Sequence, residues 1–195
     1  MTRWVNTTQR VTGKKCISYW LPANKNGTMA IMKHLGEDCR HDTQADVSKI
    51  MWVVVRNPFS RIYSCWYNKV KIKSTFLPDL RSVFKPGDPF DVFVDWIAKQ
   101  PDDRTTDNHW ISQTANMRLA NFKPNRILRF ETLHDDWNLL ADIVGLDKPL
   151  KPHNCTRTNL LDHSEHVDSY TESLRTKVLC RYQMDFEQFG YPDSP

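Results

Sequence analysis

A short polar loop near the start of the chain has the composition of a phosphate-binding turn. It reads Lys25-Asn26-Gly27-Thr28-Met29 and lies between a predicted strand and a predicted helix. The N-terminus of a helix presents unpaired backbone N–H groups and a partial positive charge, which favour a phosphate. Gly27 would let the backbone approach the phosphate, the Thr28 hydroxyl would add a hydrogen bond, and Lys25 would neutralise charge. Taken alone, a plain turn is the more economical interpretation of these residues.

A second group of polar residues follows the next predicted strand. Arg56 stands at the end of an apolar run, and Ser64 lies two turns into a helix predicted to begin at Pro58. A guanidinium fork and a hydroxyl would together suit a second phosphate group. The structural alternative is that Arg56 pairs with a carboxylate and that Ser64 is solvated.

Several common nucleotide and metal sites are not predicted. The chain has no G-x-x-x-x-G-K-[ST] segment, which disfavours an ordinary P-loop NTPase, and its shorter loop suits a nucleotide held by one 5′-phosphate. The five cysteines are scattered and lack C-x-x-C spacing, so neither a zinc site nor a disulfide framework is expected. Small core hydrophobes are the better interpretation of Cys16, Cys39, Cys65, Cys155 and Cys180.

The hydrophobic pattern predicts the elements that would position both loops. Strands are predicted at residues 16–21, 50–55 and 126–130. Asn57 and Pro58 are typical of the first residues of a helix, and Thr132 with Asp135 resembles a capping box. Apolar periodicity predicts helices at residues 29–35, 59–70, 90–97, 137–144 and 171–189, a short helix that opens at His109-Trp110, and a loop over 145–168.

Strands that alternate with helices predict an α/β fold, with a parallel sheet flanked by helices on both faces. Ligands in such folds bind at the carboxyl ends of the strands, and both polar loops lie there. A length of 195 residues with seven Trp, six Tyr and nine Phe fits one domain with a sizeable core. The chain is therefore expected to form a single domain over residues 1–195, with a motif-bearing core at about 16–191.

The charge distribution favours a local anion site. The net charge is +4, which is too small to indicate a protein that covers nucleic acid with a basic surface. Residues 14–81 hold 12 Lys and Arg against 5 Asp and Glu, whereas residues 82–195 hold 13 against 18. Because the positive excess coincides with both polar loops, a phosphorylated small molecule is expected as ligand rather than a nucleic acid.

Two kinds of signal bear on the compartment, whereas the oligomeric state is not predicted. The chain has no apolar stretch long enough for a membrane span and no signal peptide, so a cytoplasmic protein is expected, or a Golgi-lumenal one if the chain is a fragment. Three Asn-x-Thr sequons begin at Asn6, Asn26 and Asn154. A glycan on Asn26 would block the first loop, which also favours the cytoplasm unless folding hides that site.

The segment Arg56-x-Pro58-x-x-Arg61-x-x-Ser64-x-Trp66 is similar to the 3′-phosphate signature of sulfotransferases that use 3′-phosphoadenosine 5′-phosphosulfate (PAPS). Lys25-Asn26-Gly27-Thr28 resembles the 5′-phosphosulfate loop of these enzymes, although two residues separate Pro22 from Lys25 here. Residues 108–113, 129–133 and 182–191 resemble the family's His-Trp-x-Pro-Gln, Phe-Glu-x-Leu and closing-helix segments, with Ser112 where relatives often carry Pro. The most similar groups are the chondroitin/dermatan carbohydrate sulfotransferases and the heparan uronyl 2-O-sulfotransferases.

This resemblance implies a sulfotransferase fold with a P-loop-NTPase-like sheet. It also implies transfer of a sulfuryl group from PAPS to a hydroxyl or amine of a glycan or small molecule, without a metal. Lys25 would stabilise the charge that develops on the leaving nucleotide. Arg56 and Ser64 would hold the 3′-phosphate, and the 5′-phosphate would be held by Lys25, Asn26, Gly27, Thr28 and Met29.

The same resemblance suggests a general base. In the heparan 2-O-sulfotransferases the base is a His between the two phosphate loops, where this chain has His34 and His41. His34 lies in an apolar-periodic helix and is interpreted as structural, which makes His41 the candidate here. Glu37 and His109 are alternatives, and a solvated loop histidine explains His41 equally well. Residues 152–157 resemble the place where relatives close over the nucleotide, and residues 71–73 would form either an acceptor contact or a solvated basic face.

Two other functions stay open from the sequence. One is a nucleotide kinase with a P-loop-like site, which the missing Walker lysine disfavours. The other is a non-catalytic module that binds PAPS or another nucleotide, which the two additional residues between Pro22 and Lys25 would permit.

Overall fold

A computed structural model describes residues 7–72, 80, 82–147, 150 and 163–195. The chain divides into two units. Unit 1 comprises residues 1–56 and 113–154, and unit 2 comprises residues 57–112 and 155–195. The expectation of a single domain stays a prediction.

Unit 1 is built on a five-stranded sheet. Its strands are β1 (Gln9–Thr12), β2 (Ile17–Leu21), β3 (Cys39–His41), β4 (Ile50–Val55) and β5 (Arg126–Arg129). They lie in the order β3-β1-β2-β4-β5. The neighbours β2, β4 and β5 run parallel, whereas β1 pairs antiparallel with both β2 and β3. The predicted α/β class and its parallel sheet are confirmed for these three strands, and the two antiparallel strands extend the sheet at one edge.

Eight α-helices occur in the part of the chain that the structure describes. The three that begin at Thr28, Gln113 and Leu133 belong to unit 1, and the other five belong to unit 2. In chain order they are α1 (Thr28–Leu35), α2 (Pro58–Trp66), α3 (Phe90–Ile97), α4 (Gln113–Leu119), α5 (Leu133–Val144), α6 (His163–Asp168), α7 (Glu172–Arg181) and α8 (Gln183–Phe189).

Three tryptophans form the centre of the unit 1 core. The register of β2 and β4 places Trp20 opposite Trp52, and their rings stack with centroids 5.1 Å apart and planes 6° apart. Trp137 of α5 packs edge-on against Trp52 at 6.0 Å. All three side chains are almost completely buried, so they contribute a large apolar area to the face of the sheet that α1 and α5 cover.

The opposite face of the central strands is buried as well. Tyr19 and Leu21 of β2 and Met51, Val53 and Val55 of β4 are all buried. Burial on both faces explains why residues 50–55 form an unbroken apolar run rather than an alternating one.

The start of α5 differs from the predicted capping box. The Thr132 side chain makes no capping bond to the backbone of α5 in the described chain, and Asp135 is not its partner. Instead Thr132 Oγ1 donates to Asp136 Oδ2 at 3.0 Å, and the same oxygen accepts the Arg129 N–H at 2.6 Å. Because the Asp136 carboxylate ties the end of β5 to the start of the helix, it replaces the expected cap.

In unit 2, α2 begins as predicted and is more buried than expected. Asn57 Oδ1 accepts the Phe59 N–H at 2.9 Å and Pro58 occupies the first turn. The polar residues Arg61 and Ser64 of this helix are not solvated, since every residue of α2 is buried. Arg61 donates to the carbonyls of Ile111 (2.8 Å) and Asn108 (3.2 Å), so its charge serves the packing of unit 2.

Three further predictions for unit 2 need correction. The loop predicted over 145–168 ends in a helix, since residues His163–Asp168 form α6. No helix opens at His109-Trp110, because the Asp107 carbonyl accepts the N–H groups of Trp110 and Ile111 in a turn, and α4 starts only at Gln113. The predicted helix over 171–189 is divided at Tyr182, whose backbone leaves the helical region (φ −116°, ψ 24°). The Tyr182 hydroxyl donates to the Trp110 carbonyl at 2.6 Å, which holds this residue in the core.

Ser112 occupies a position that explains its departure from the family's usual Pro. Its N–H donates to Asp102 Oδ1 at 2.8 Å and its hydroxyl donates to Asp102 Oδ2. Arg181 also donates to Asp102, at 3.2 Å. Proline has neither of the two donors that Ser112 supplies, so the carboxylate of Asp102 accounts for a serine here.

Candidate functional site

The loop between β2 and α1 contains two residues with left-handed backbone conformations. Lys25 has φ 71° and Gly27 has φ 77°. A Cβ on Gly27 would also lie 3.1 Å from Leu133 Cδ2 and 3.4 Å from Phe130. Glycine is therefore required at position 27 for both its conformation and the space it leaves, whereas Lys25 adopts a conformation that non-glycine residues disfavour.

Thr28 and Met29 form the start of α1, as the predicted phosphate site requires. The Gly27 carbonyl accepts the N–H groups of Ala30 and Ile31, so the N–H groups of Thr28 and Met29 precede the first intrahelical donors. The Thr28 hydroxyl donates to the Ala23 carbonyl at 2.6 Å, which closes the loop on itself. The Met29 side chain is 61% exposed, so its position in the site is that of a backbone donor.

Asn26 is the buried anchor of this loop and is only 1% exposed. Its Nδ2 donates to the Val54 carbonyl at 2.7 Å and to Gln113 Oε1 at 2.6 Å. No donor within the described residues reaches its buried Oδ1. Both amide hydrogens of Asn26 thus connect the loop to the end of β4 and to α4, which gives this predicted ligand-binding residue a structural role as well.

Gln113 pairs with the backbone of Arg56. Its Oε1 accepts the Arg56 N–H at 2.8 Å, and its Nε2 donates to the Arg56 carbonyl at 2.9 Å. Because Oε1 also accepts from Asn26, one buried amide joins the loop to the residue that follows β4. The sequence contained this glutamine in the His-Trp-x-Pro-Gln resemblance, but nothing in its local pattern indicated the role.

The guanidinium of Arg56 lies against the same loop. Arg56 Nη1 donates to the Lys25 carbonyl at 3.0 Å, and the guanidinium carbon lies 4.3 Å from the centre of the Phe130 ring. Arg56 is 8% exposed, so its positive charge is largely removed from solvent and is stronger as an electrostatic partner. The structure thereby brings Lys25, Asn26, Gly27, Thr28 and Arg56 together at the carboxyl ends of two neighbouring parallel strands. Such an arrangement can bind a phosphorylated anion.

Ser64 belongs to unit 2 and is buried rather than solvated, with 4% exposure. Its carbonyl accepts from Asn68 Nδ2 at 2.9 Å. Since Arg56 belongs to unit 1, the shared 3′-phosphate site of Arg56 and Ser64 stays a prediction.

His41 lies on the edge strand β3 with its side chain exposed. Its Nδ1 lies 3.0 Å from Nε2 of Gln9, and the Gln9 Nε2 also donates to the Thr7 carbonyl at 3.2 Å. The Thr7 carbonyl can only accept a hydrogen bond, so the Gln9 atom that contacts both Thr7 and His41 must be the amide nitrogen, which donates. His41 Nδ1 then acts as the acceptor, and a neutral ring carries its proton on Nε2.

The two alternative bases occupy different surroundings. Glu37 lies in an exposed 3-10 turn, Gly36–Asp38, between α1 and β3. His109 belongs to unit 2, where its Nδ1 lies 2.5 Å from Asp107 Oδ1. Burial opposes ionisation of Asp107, but the hydrogen bond and charge of His109 outweigh it and lower the pKa of that carboxyl. His109 is therefore held by a partly buried contact with Asp107 in unit 2.

Several sequence-based expectations fall outside the described residues, in whole or in part. They are the closing segment 152–157, Lys73 of the basic run, and the sequons at Asn6 and Asn154. Within the described ranges no group of three or more His, Cys, Asp and Glu side chains could hold a metal ion. In the same ranges no helix has both the length and the apolarity that a membrane span needs.

The third sequon, at Asn26, is hidden by folding. Both hydrogens of the Asn26 amide are bonded in the core, so its nitrogen cannot carry a glycan in the folded chain. The sequon argument therefore no longer distinguishes one compartment from another.

Comparison with known protein families gives one match. The model of the family described as "Sulfotransferase family" matches residues 13–192 of this chain. No curated protein and no solved structure gives a significant match. The matched range includes the loop between β2 and α1, Arg56 and Gln113.

Proposed function

Because the chain belongs to the sulfotransferase family, we propose that it transfers a sulfuryl group from PAPS to a hydroxyl or amine of a glycan or small-molecule acceptor. The observation that carries this proposal is the position of the Arg56 guanidinium against the loop of residues 25–28. Two cationic residues and a helix N-terminus at the ends of adjacent parallel strands suit a nucleotide that carries phosphates at two positions.

The residues present fit such a donor. Gly27 permits the left-handed turn that leads into α1, and the first turn of α1 supplies backbone N–H groups for a 5′-phosphate. Arg56 would bind the 3′-phosphate, for which a guanidinium is well suited because it can donate two parallel hydrogen bonds. PAPS supplies the activated sulfuryl group, with 3′-phosphoadenosine 5′-phosphate (PAP) as the leaving nucleotide.

The reaction would be an in-line displacement at sulfur. The acceptor oxygen or nitrogen forms a bond to sulfur while the bond from sulfur to the bridging oxygen of the nucleotide breaks, and the acceptor proton passes to a base. Lys25 would stabilise the negative charge that develops on the bridging oxygen. The left-handed backbone at Lys25 would then serve to direct the side chain, since sparsely populated conformations concentrate at functional sites.

We propose His41 as the base, with Glu37 and His109 as alternatives. The contact with Gln9 places the neutral ring's proton on Nε2, so catalysis through Nε2 requires the Gln9 amide to turn away. His41→Ala is expected to abolish transfer and to leave PAP affinity unchanged, as measured by activity assay and calorimetry. Transfer retained by His41→Ala would move the role to Glu37 or His109, and the same two measurements on their alanine variants would decide between them.

Ligand-induced thermal stabilisation tests the donor. PAP should raise the unfolding temperature in the absence of Mg²⁺ and ADP should not, since a ligand at 100 times its Kd stabilises a protein by about 2.7 kcal/mol. Arg56→Ala should weaken PAP binding by about 1.5–3 kcal/mol, the range for hydrogen bonds to charged groups.

Arg126→Ala is the matched control for Arg56→Ala. Arg126 is an exposed arginine at the opposite end of β5 from Arg129 and donates to the neighbouring Asn125 carbonyl. Arg126→Ala should leave both the PAP affinity and the rise in unfolding temperature caused by PAP unchanged. Stabilisation by ADP or ATP with Mg²⁺ instead of PAP would indicate a kinase-like site and would refute the proposal.

A stable PAP complex without detectable transfer to any acceptor would indicate a non-catalytic binding module. A screen of glycan, small-molecule and peptide acceptors with labelled PAPS therefore completes the test.

A further inference from the structure

One buried glutamine connects the two halves of the candidate nucleotide site. Gln113 is 2% exposed, and its side-chain amide makes three hydrogen bonds within unit 1. Two of them go to the backbone of Arg56 and the third comes from Asn26. Asn26 and Arg56 also connect the loop to the end of β4 directly, through the Val54 and Lys25 carbonyls, and Gln113 bonds to both of these residues.

The geometry of these bonds fixes the distance between the loop and Arg56. The pair of bonds between Gln113 and Arg56 has the form of a short antiparallel bridge, in which one N–H and one carbonyl of the backbone are both satisfied. The bond from Asn26 Nδ2 to Gln113 Oε1 is 2.6 Å long, and the other Asn26 hydrogen reaches the Val54 carbonyl. Loss of the amide would remove both bonds to the Arg56 backbone and the bond from Asn26, so the separation between the strand end and the loop would no longer be fixed by this side chain.

We propose that Gln113 is a positioning residue that sets the separation between the 5′-phosphate loop and Arg56. The inference rests on the proposed PAPS-binding function, since it concerns how the site binds two phosphates of one nucleotide at the same time. Gln113 does not touch the nucleotide in this proposal. It acts through Asn26 on one side and through the Arg56 backbone on the other.

The role makes a specific claim about ligands with one or two phosphates. A nucleotide with only a 5′-phosphate uses the loop alone, so its affinity does not depend on the distance to Arg56. A nucleotide with both phosphates gains affinity only when the two elements are held at the correct separation, because a preorganised site loses less on binding. The quantity to measure is therefore the ratio of PAP affinity to AMP affinity.

Gln113→Met is the main variant because methionine has a similar length and no hydrogen-bonding amide. The control is Asn116→Leu, on the same helix one turn later. Asn116 is 4% exposed and donates to the Pro22 carbonyl at 3.4 Å, so its replacement also removes a buried hydrogen bond. Calorimetry with PAP and AMP is carried out on the wild type and both variants of the full chain.

Gln113→Met is expected to lower the ratio of PAP to AMP affinity about tenfold, the equivalent of one hydrogen bond, with AMP affinity within about threefold of the wild type. Asn116→Leu is expected to leave the ratio unchanged. If Gln113→Met keeps the wild-type ratio, or if Asn116→Leu lowers it equally, the positioning role is wrong. If Gln113→Met does not fold, Gln113→Asn decides. It keeps a neutral amide on a side chain one methylene shorter, which cannot reach Asn26 and the Arg56 backbone at once, so an unchanged ratio in this variant also overturns the role.

The failure of the premise is recognisable in the same data. A wild-type protein that binds PAP no better than AMP contradicts the proposed function and this inference together. A wild-type preference for PAP that survives in the Gln113 variants contradicts the inference alone.

Discussion

Replacement of Lys25 by glycine should separate stability from activity. Lys25 has φ 71°, a conformation that costs a residue with a side chain roughly 1–2 kcal/mol. Glycine removes this cost, but its greater conformational freedom in the unfolded chain lowers the free energy of unfolding by about 0.5–1 kcal/mol. The net expectation for Lys25→Gly is a gain of about 0.5–1 kcal/mol in the free energy of unfolding. For a chain of this size the unfolding temperature should rise by about 1–4 °C.

The same substitution removes the ammonium group proposed to stabilise the leaving nucleotide. Loss of a single preorganised donor at a reacting oxygen lowers kcat by about 10²–10³-fold. Lys25→Gly should therefore be more stable than the wild type and nearly inactive in a transfer assay with labelled PAPS. Lys25→Met is the matched control, since it also removes the charge but keeps a side chain on the left-handed backbone. It should lose activity equally and gain no stability.

Two results would refute this reasoning. If Lys25→Gly and Lys25→Met unfold at the same temperature, the left-handed conformation carries no cost that glycine relieves. If Lys25→Met retains transfer, the ammonium group has no catalytic role, whatever happens to stability.

Two further predictions concern unit 2. Ser112→Pro should lower the free energy of unfolding by about 2–4 kcal/mol in a urea titration, because two hydrogen bonds to the Asp102 carboxylate are lost. Ser112→Ala keeps the N–H bond and should lose about half as much. Equal losses in the two variants would show that the backbone bond is unimportant. Burial raises the pKa of Tyr182 above its ordinary value near 10, so the stability that the neutral phenol provides is complete below about pH 10 and is lost as the pH rises further. Tyr182→Phe should therefore cost about 1 kcal/mol at pH 8, from the bond to the Trp110 carbonyl, and should show a shallower loss of stability above pH 10, and parallel pH profiles would contradict this.

The parts of the fold that the sequence predicts well are those with a strong local pattern. The apolar run of β4, the Asn57-Pro58 start of α2 and the periodic apolar residues of α5 each indicate their element without knowledge of the rest. β1 and β3 were missed because they have four and three residues, and their strand character comes from pairing with each other and with β2. Similarly, the break at Tyr182 depends on a hydrogen bond to a residue 72 positions away.

The residues of the candidate site show the same difference between those that a local sequence pattern predicts and those that depend on distant contacts. Lys25 and Arg56 each follow a recognisable strand, and the parallel pairing of those strands brings the two residues together, as the rule on carboxyl ends predicts. The contacts of Asn26 and Gln113 could not be predicted, because an isolated amide in a sequence does not indicate its partners. The solvated alternative for Ser64 was wrong for a related reason, since helix periodicity does not show that a whole helix is enclosed.

The tryptophan stack of unit 1 also gives the protein an intrinsic spectroscopic label. Aromatic rings fixed in an asymmetric environment produce near-ultraviolet circular dichroism, which disappears when side-chain packing is lost even if the helices persist. Trp20 and Trp52 lie in register on adjacent strands, with Trp137 against them, so their optical signal depends on the correct alignment of β2 with β4. Near-ultraviolet spectra of the variants above would thus show directly whether a loss of ligand binding arises at the loop or from a sheet that has lost its register.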